Sequence, residues 1–244
     1  MKNLVMVIIL ACFLFVSLSA ISSAANIDYS LGAGVGFVPD YEGSEDYEVV
    51  PVPFFSAQWK NGRYIKLDGA AFKANLLANK TWSLGPLLQY RKKRNSDVDN
   101  DAVADMKNID AAIEAGAFLG YVYEGWDLGL RLATDVSDTH DGTLVTARTG
   151  YTFKADRMST RVGVSFTYVN DDYMDTYFSV DAADSARSGL KEYKAESGIK
   201  DIGVDLMLKY SMTDNWDIRG AFAYIALLND AEDSPIVDDE GESG

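Results

Sequence analysis

From Ile27 onward, hydrophobic and polar residues alternate with a period of two in segment after segment. Strict alternation is typical of a β-strand with one apolar and one polar face. Each run is about 10 residues long, which is the length of a tilted strand that crosses a bilayer, whereas strands of soluble sandwiches usually have about 5–6 residues. The alternating segments are 27–37, 81–91, 109–123, 126–133, 145–153, 161–168, 202–210 and 216–224.

Aromatic side chains lie toward the ends of the apolar faces, as in the two aromatic girdles of a transmembrane barrel. Examples are Tyr29 with Phe37, Trp82 with Tyr90, and the pair Tyr151 and Phe153. The apolar faces of a soluble sandwich would point inward, and alternation alone does not show the direction. Strand length, girdles and an export signal together favour apolar faces that point outward into lipid.

The lengths of the connections indicate the orientation. Tight turns are predicted at 61–62, 79–80, 124–125, 155–157 and 213–215, and Asn61-Gly62 is a strong hairpin signal. Long polar segments cover 38–49, 95–108, 170–197 and 229 onward. Outer-membrane barrels keep short turns on the periplasmic side and long loops outside. All four long segments lie outside only if 63–77 forms two strands, although Gly69-Ala70-Ala71 is a weak turn signal.

Two features complicate a closed barrel. Pro51 and Pro53 lack the N–H of an interior strand residue, so we expect them in a hairpin that projects above the bilayer. The strand count reaches eleven, whereas bacterial barrels have even numbers, and Glu242–Gly244 end an acidic segment. We therefore predict an all-β, antiparallel up-and-down transmembrane barrel of about 12 strands, with the last one absent from this chain.

The N-terminus is typical of a secretory signal peptide. Lys2 precedes an apolar run at 4–16, and small residues follow at Ser23-Ala24-Ala25. We predict cleavage after Ala25, so that 1–25 is the signal peptide and 26–244 the barrel domain in a Gram-negative outer membrane. The alternative is an uncleaved anchor over 4–21. Cys12 lies inside the apolar run and fits a lipoprotein motif poorly, so the mature chain would have no disulfide or thiolate metal site.

The charge restricts the partners. The chain of 244 residues has a net charge of −15, and removal of Lys2 with the signal peptide changes it to −16. An acidic surface repels phosphate backbones, which argues against nucleic acid as a partner. Outer-membrane lipid and lipopolysaccharide are the expected surroundings, and acidic outer loops could share cations with lipopolysaccharide phosphates.

Candidate catalytic chemistry is limited to the only histidine. His140 could act as a general base with Asp138 or Asp141, while the simpler interpretation is a solvated loop residue. No nucleophile elbow or phosphate-binding glycine loop accompanies it. We therefore expect no catalytic residues, no bound cofactor and no enzymatic activity.

A candidate metal site lies in Asp97-Val98-Asp99-Asn100-Asp101, which resembles the opening of a calcium loop. It lacks the glycine at the sixth position, where Ala102 stands, and the glutamate at the twelfth, where Asn108 stands. An acidic surface loop is the simpler interpretation, and no metal is expected.

The polar faces of the strands carry both signs of charge. If these faces line the lumen, ion pairs would hold the interior together. Eight strands leave a filled interior and sixteen an aqueous channel, so about twelve should leave a narrow or plugged bore. A pore would require 170–197 to stay out of the lumen, and the alternative is a satisfied, non-conducting interior. The charged residues on these polar faces are Asp110, Glu114, Arg131, Arg148, Asp205 and Arg219.

Several local patterns point to one family. They are Pro39-Asp40-Tyr41-Glu42-Gly43-Ser44, Ser185-Ala186-Arg187-Ser188-Gly189-Leu190 with Tyr193, Ser234-Pro235-Ile236-Val237, Gly85-Pro86 and Tyr90-Arg91. Their order and spacing resemble those of the MipA/OmpV family (MltA-interacting protein) of outer-membrane barrels, from about Ile27 to the end. The departure is the final strand that closes such barrels.

The resemblance implies a role in assembling the murein machinery, through binding of a lytic transglycosylase and a murein synthase. Other members of the family are associated with porin-like or adhesive behaviour. The leading hypothesis is therefore a non-enzymatic scaffold for murein and cell-envelope assembly, and the alternatives are a narrow porin-like channel or a surface adhesin. Short periplasmic turns offer little area to such partners, since a specific interface buries about 800 Å² per partner. The oligomeric state stays open.

Overall fold

The structure, a computed structural model, describes residues 11–22 and 26–238 and is a closed barrel of twelve antiparallel strands. Each strand pairs with its neighbours in the chain, and β1 pairs with β12 to close the barrel, so the topology is up-and-down. The strands are β1 (Ala11–Ser22), β2 (Ile27–Pro39), β3 (Tyr47–Trp59), β4 (Tyr64–Asp68), β5 (Ala71–Asn75), β6 (Trp82–Arg91), β7 (Ala112–Tyr123), β8 (Trp126–Asp135), β9 (Thr143–Ala155), β10 (Met158–Val169), β11 (Gly198–Ser211) and β12 (Trp216–Leu227).

Among the described residues, helices occur only between strands at one end or after β12. They are α1 (Asp101–Ala104), α2 (Asp171–Phe178), α3 (Ala182–Ser188) and α4 (Pro235–Asp238), with a 3-10 turn at Asn229–Ala231. Within the described residues, no helix is long and apolar enough to cross a membrane.

The apolar faces of the strands point outward, which confirms the predicted fold class. Leu31 is 64% exposed, Val49 62% and Phe153 57%, exposures that would be unfavourable in water but suit a surface surrounded by lipid. All eight alternating segments form strands, and the tight turns predicted from the sequence all fall at one end.

The closing position of the barrel is occupied by β1. Its residues pair with β2 from Cys12↔Phe37 to Ser22↔Ile27 and with β12 from Ala11↔Ala223 to Leu18↔Trp216. Eleven strands follow Ile27, as predicted, and the twelfth position is filled by a segment that we assigned to the signal peptide rather than to the barrel. Removal of residues 1–25 remains a prediction, and Ser23–Ala25 and Glu242–Gly244 lie outside the described residues.

The short hairpin of β4 and β5 leaves a notch in the wall. The weak turn signal at Gly69 does form a turn, and β4 pairs only with Phe54–Gln58 of β3. Above that level, β3 pairs with β2 alone. The Gly69 N–H donates to the Pro53 carbonyl at 2.9 Å, so Pro53 and, two residues away, Pro51 direct their backbone nitrogens into the notch. The prolines are tolerated because this edge is free, and no ladder hydrogen bond is lost.

The polar faces line the lumen and form ion pairs there, although Arg131 and Arg148, two of the residues expected in such pairs, form none within the described residues. Arg161 on β10 donates to Asp127 on β8 at 2.7 and 2.8 Å and also pairs with Asp205 on β11. It crosses β9 over Gly150, where a Cβ atom would lie 2.4 Å from the guanidinium. Arg219 on β12 lies over the Phe54 ring of β3 at 4.4 Å. These contacts connect strands that are not neighbours and so brace the interior.

We predict that Gly116→Ala destabilises the barrel by about 3 kcal/mol, because overpacking that only a backbone shift can relieve is costly. A Cβ atom at Gly116 would lie 1.8 Å from the Leu132 carbonyl oxygen of β8. Urea unfolding of the refolded barrel measures the change. Gly198→Ala is the matched control, since a Cβ atom there meets nothing within 4 Å. Equal stability of the two variants would contradict this account of the wall.

Candidate functional site

The long loops fold together over the outer end of the barrel. We call residues 40–46, 92–111, 170–197 and 228–238 the cap. Side chains at the helix ends order it locally: Asn100 caps α1, Asn170 caps α2 and Asp181 caps α3, each accepting a backbone N–H. Gly189 ends α3 with φ +79°, a left-handed conformation that favours glycine. The predicted grouping of the long segments at one end is confirmed.

The cap shares a hydrophobic core with the rim of the barrel, to which β9, β10 and β12 contribute Leu144, Val169 and Leu227. Tyr173, Met174, Phe178 and Val237 are at most 1% exposed and belong to one cluster. A second cluster joins three of the segments that carry the family resemblance, since Tyr41, Leu190 and Ile236 each contribute to it. These sequence patterns therefore meet in space and build the cap.

Glu42 stands at the centre of a buried polar network. Its carboxylate accepts hydrogen bonds from Arg91 Nη1 at 2.8 Å, Lys200 Nζ at 3.0 Å and the Tyr173 hydroxyl at 2.9 Å. The Tyr173 ring lies 5.0 Å from the Arg91 guanidinium and 5.7 Å from Lys200 Nζ. Arg91 also pairs with Glu114 of β7 at 2.6 Å. The network thus connects the loop 40–46, helix α2 and strands β6, β7 and β11.

This network crosses the bore. Arg91 ends β6 and Lys200 lies in β11, five strand positions apart in a ring of twelve, so the two side chains approach from nearly opposite walls. Glu42 contacts both of them. The cap therefore extends across the outer end of the lumen, and 170–197 does not stay out of it.

The electrostatics favour an ionised Glu42. Burial alone would raise the pKa of Glu42, but the positive charges of Lys200 and Arg91 and the hydrogen bonds from Lys200 and Tyr173 outweigh it. The pKa is lowered from 4.5 to about 2. Burial also raises the pKa of Tyr173 well above its ordinary value, so this hydroxyl stays protonated and donates to Glu42.

His140 is not the solvated loop residue that the sequence suggested, and its predicted partners are wrong. It is 2% exposed, its Nδ1 accepts the Gly142 N–H at 3.0 Å, and its ring contacts Tyr173 and Tyr177. The carboxylate beside it is Glu114, whose Oε1 lies 3.5 Å from Nε2. Asp138 and Asp141 are exposed turn residues with positive φ. The imidazole packs between wall and cap as a structural side chain.

The calcium-like segment is used for local structure. Asp97 accepts from Asn95 and Lys93, Asn100 caps α1, and the Asp99 N–H donates to Asp40 at 3.0 Å. The Asp97 carboxylate is thus engaged within its own loop, and the Asp99 backbone fixes that loop to Asp40. Among residues 26–238, no group of three histidine, cysteine or acidic side chains could hold a metal ion.

The polar face predicted from alternation lies where expected. Glu114, Arg131, Arg148, Asp205 and Arg219 all lie on strands with their side chains on the lumen side, whereas Asp110 precedes β7 and is exposed. The alternation did not identify Glu42, Tyr173 or Lys200 as a unit. The sequence pattern that could have pointed to Glu42 was the segment 39–44, which contains it and carries the family resemblance.

Comparison with known proteins agrees with this architecture. The MltA-interacting protein MipA family profile matches residues 31–243. The MltA-interacting proteins of Escherichia coli K12 and Shigella flexneri are each 26% identical over 236 residues, covering 94% of this chain and 92% of theirs. YiaT of Escherichia coli O157:H7, whose name describes an outer membrane protein, is 23% identical and covers 91% of this chain and 89% of its own.

Solved outer-membrane barrels are more distant. The COG4313 outer membrane channel from Pseudomonas putida F1 has a TM-score of 0.32 and 13% identity, over 93% of this chain and 97% of that one. OccK8 (OprE) of Pseudomonas aeruginosa has a TM-score of 0.32 and 8% identity, over 93% and 72%. Similarity at this level carries no functional argument. The family profile covers most of the chain, and the chain therefore belongs to the MipA family of outer-membrane β-barrels.

Proposed function

We propose that this chain is a non-enzymatic, non-conducting scaffold of the outer membrane that binds a lytic transglycosylase, and with it a murein synthase, at its periplasmic end. The observation that carries the proposal is the Glu42 network, which ties the cap to nearly opposite walls and closes the bore. A closed barrel is suited to holding partners rather than to passing solutes. The relatives named MltA-interacting protein support the choice of partner.

The periplasmic rim is the surface available to such partners. Its turns carry exposed polar side chains, among them Lys60, Asn79, Lys80, Asp156 and Asp214. Each turn is only a few residues long, whereas a specific interface buries about 800 Å² per partner. Several turns must therefore act together, and a single turn replacement should weaken binding without abolishing it.

Site-specific photocrosslinking in intact outer membranes tests the proposal. A photoreactive residue is placed at Asn79, Asp156 or Asp214, and the matched control carries it at Asp175, which is exposed on α2 at the opposite end. We expect a lytic transglycosylase to be captured from the periplasmic positions and not from Asp175. Capture of no murein enzyme, or equal capture from both ends, would overturn the scaffold.

A gated channel is the second candidate, because the lumen below the cap is not filled. Met207 faces the interior and is still 43% exposed, and cavities of about 850 and 1050 Å³ adjoin the inner wall. Conduction would require the cap to move. A native barrel that conducts steadily in planar bilayers, with the cap intact, would favour this candidate over the scaffold.

The loops do not favour the adhesin alternative, since they pack on one another and on the barrel rim instead of projecting freely.

A further inference from the structure

We propose that the periplasmic half of the lumen is a binding site for a small anion that bears carboxylate or phosphate groups. Three cationic side chains form it: Lys73 of β5, Arg131 of β8 and Arg148 of β9. The three cations lie apart from the cap and deeper than the periplasmic rim, which lines the mouth of the cavity, so the site does not depend on the scaffold proposal.

The site lies in a cavity of about 850 Å³ that opens at the periplasmic end. Lys60, Gly62, Asn79 and Lys80 of the short turns line its mouth, while the three cations line it deeper inside. The outer end of the bore is closed by the Glu42 network. A ligand would therefore enter from the periplasm. The volume falls within the usual range for small-molecule pockets, about 300–1,000 Å³.

The three charges lie close enough to repel one another. Lys73 experiences the positive charges of Arg131 and Arg148, and Arg131 that of Arg148. Glycine leaves room for one of them: Arg148 lies over Gly129, where a Cβ atom would come within 2.9 Å of its Nε. Arg148 is exposed to the cavity rather than packed into the wall. Such clustering of like charge is unfavourable unless an anion compensates it.

The nearby carboxylates attract these cations, since Asp68 acts on Lys73 and Asp127 acts on Lys73 and Arg148, but they form their close ion pairs with other residues. Asp127 is held by Arg161, and Asp68 by Lys66 at 2.5 Å. Among the side chains that the structure describes, none of the three cations forms an ion pair.

Arg131 and Lys73 contact neutral groups instead of carboxylates. Arg131 donates to the amide oxygen of Gln89. Lys73 lies over the rings of Tyr64 and Phe118, at 5.9 and 5.6 Å. In a chain with a net charge of −15, this local excess of positive charge is a specific feature of the cavity.

The donor set fits an oxyanion. A guanidinium presents paired N–H groups that match a carboxylate or phosphate, and an ammonium adds a point charge. Two guanidinium groups and one ammonium can together neutralise a small dicarboxylate or an inorganic phosphate. The adjacent Tyr64 and Phe118 rings provide an apolar wall for the carbon skeleton of a carboxylate.

Isothermal titration of the refolded barrel with succinate and with inorganic phosphate tests the proposal and separates the two ligand classes. We expect binding of at least one anion, weakened about 10- to 100-fold by Arg148→Gln, as for loss of a charged hydrogen-bond donor. Arg148→Lys keeps the charge and should be intermediate. Arg157→Gln is the matched control, because Arg157 lies on a periplasmic turn and donates to the Met212 carbonyl at 2.9 Å.

The outcomes are distinct. Binding that is lost in Arg148→Gln and in Lys73→Met but kept in Arg157→Gln supports the site. Absence of binding to both anions at millimolar concentration overturns it, and so does binding that the cavity variants leave unchanged. Heat-modifiable gel mobility shows that each variant is folded. Failure to capture a murein enzyme by photocrosslinking would leave this result unaffected.

Discussion

Replacement of Glu42 by glutamine is expected to turn a closed barrel into one that conducts ions. Glu42 is the carboxylate through which the cap reaches Arg91 and Lys200 on the two walls. Those cations keep Glu114 and Asp201 as partners on the wall, so the barrel itself should stay intact. The substitution removes the charged attachment of the cap across the bore, while backbone contacts such as that of the Leu228 N–H with the Lys200 carbonyl remain.

The effect should be large. Hydrogen bonds to charged groups contribute about 1.5–3 kcal/mol each, and a loss of about 3 kcal/mol shifts the opening equilibrium of the cap about 100-fold. Single-channel recording in planar bilayers measures the open probability. Glu45→Gln is the matched control, an exposed acid in the same loop. A Glu42→Gln barrel that stays as silent as the Glu45→Gln barrel would refute the role of the network.

Acid should reproduce the substitution. The pKa of Glu42 is lowered from 4.5 to about 2 in the folded cap, so its contribution to stability is fully present above pH about 4.5. That contribution is lost as the pH falls from about 4.5 through about 2. The open probability of the native barrel should therefore rise over this range and approach that of Glu42→Gln, which lacks the Glu42 titration.

Phe178→Ala is expected to unfold the cap while leaving the barrel folded. Phe178 is completely buried among Tyr173, Met174 and Val237, and its backbone carbonyl accepts the Ser234 hydroxyl at 2.6 Å. Truncation of a buried phenylalanine costs about 3–5 kcal/mol through lost burial and the cavity left behind. The same cluster includes Leu144, Val169 and Leu227 of the wall, but the strands hold one another through their own ladders, so the cost should fall mainly on the cap.

Limited proteolysis measures this outcome. We expect cleavage within 170–197 to accelerate about 100-fold or more, since about 3 kcal/mol corresponds to two decades in the open population. The heat-modifiable mobility of the barrel should be unchanged. Phe153→Ala is the control, because Phe153 is 57% exposed on the outer face and should leave the loop protected. Simultaneous loss of the barrel fold would show that cap and wall form one cooperative unit.

The wall could be predicted from the sequence because its signal is periodic. Alternation along β2, β9 or β11 determines which side chains share a face, and a one-residue error would reverse every one of them. Connection lengths then gave the orientation. The β4–β5 hairpin was harder, because its strands have five residues each and its turn at Gly69-Ala70 has no strong signal.

The cap could not be predicted in the same way. Glu42 and Tyr173 are 131 residues apart, and Glu42 and Lys200 are 158 apart, so no local pattern relates them. The prediction for His140 rested on the polar composition of its own loop and therefore gave an exposed residue. The burial of His140 comes from α2, which packs over it. Contacts between irregular loops depend on tertiary packing and leave no period in the chain.

The notch beside the β4–β5 hairpin affects the tendency of the barrel to aggregate with other copies of itself. A free strand edge is a template to which a strand of another chain can add, leading to edge-to-edge aggregation. Along β3 that edge presents Pro51 and Pro53, which direct no N–H toward an incoming strand. An added strand would find no N–H at either of the consecutive edge-facing positions, Pro51 and Pro53. The two prolines thus protect against aggregation the stretch of wall that ring closure leaves open.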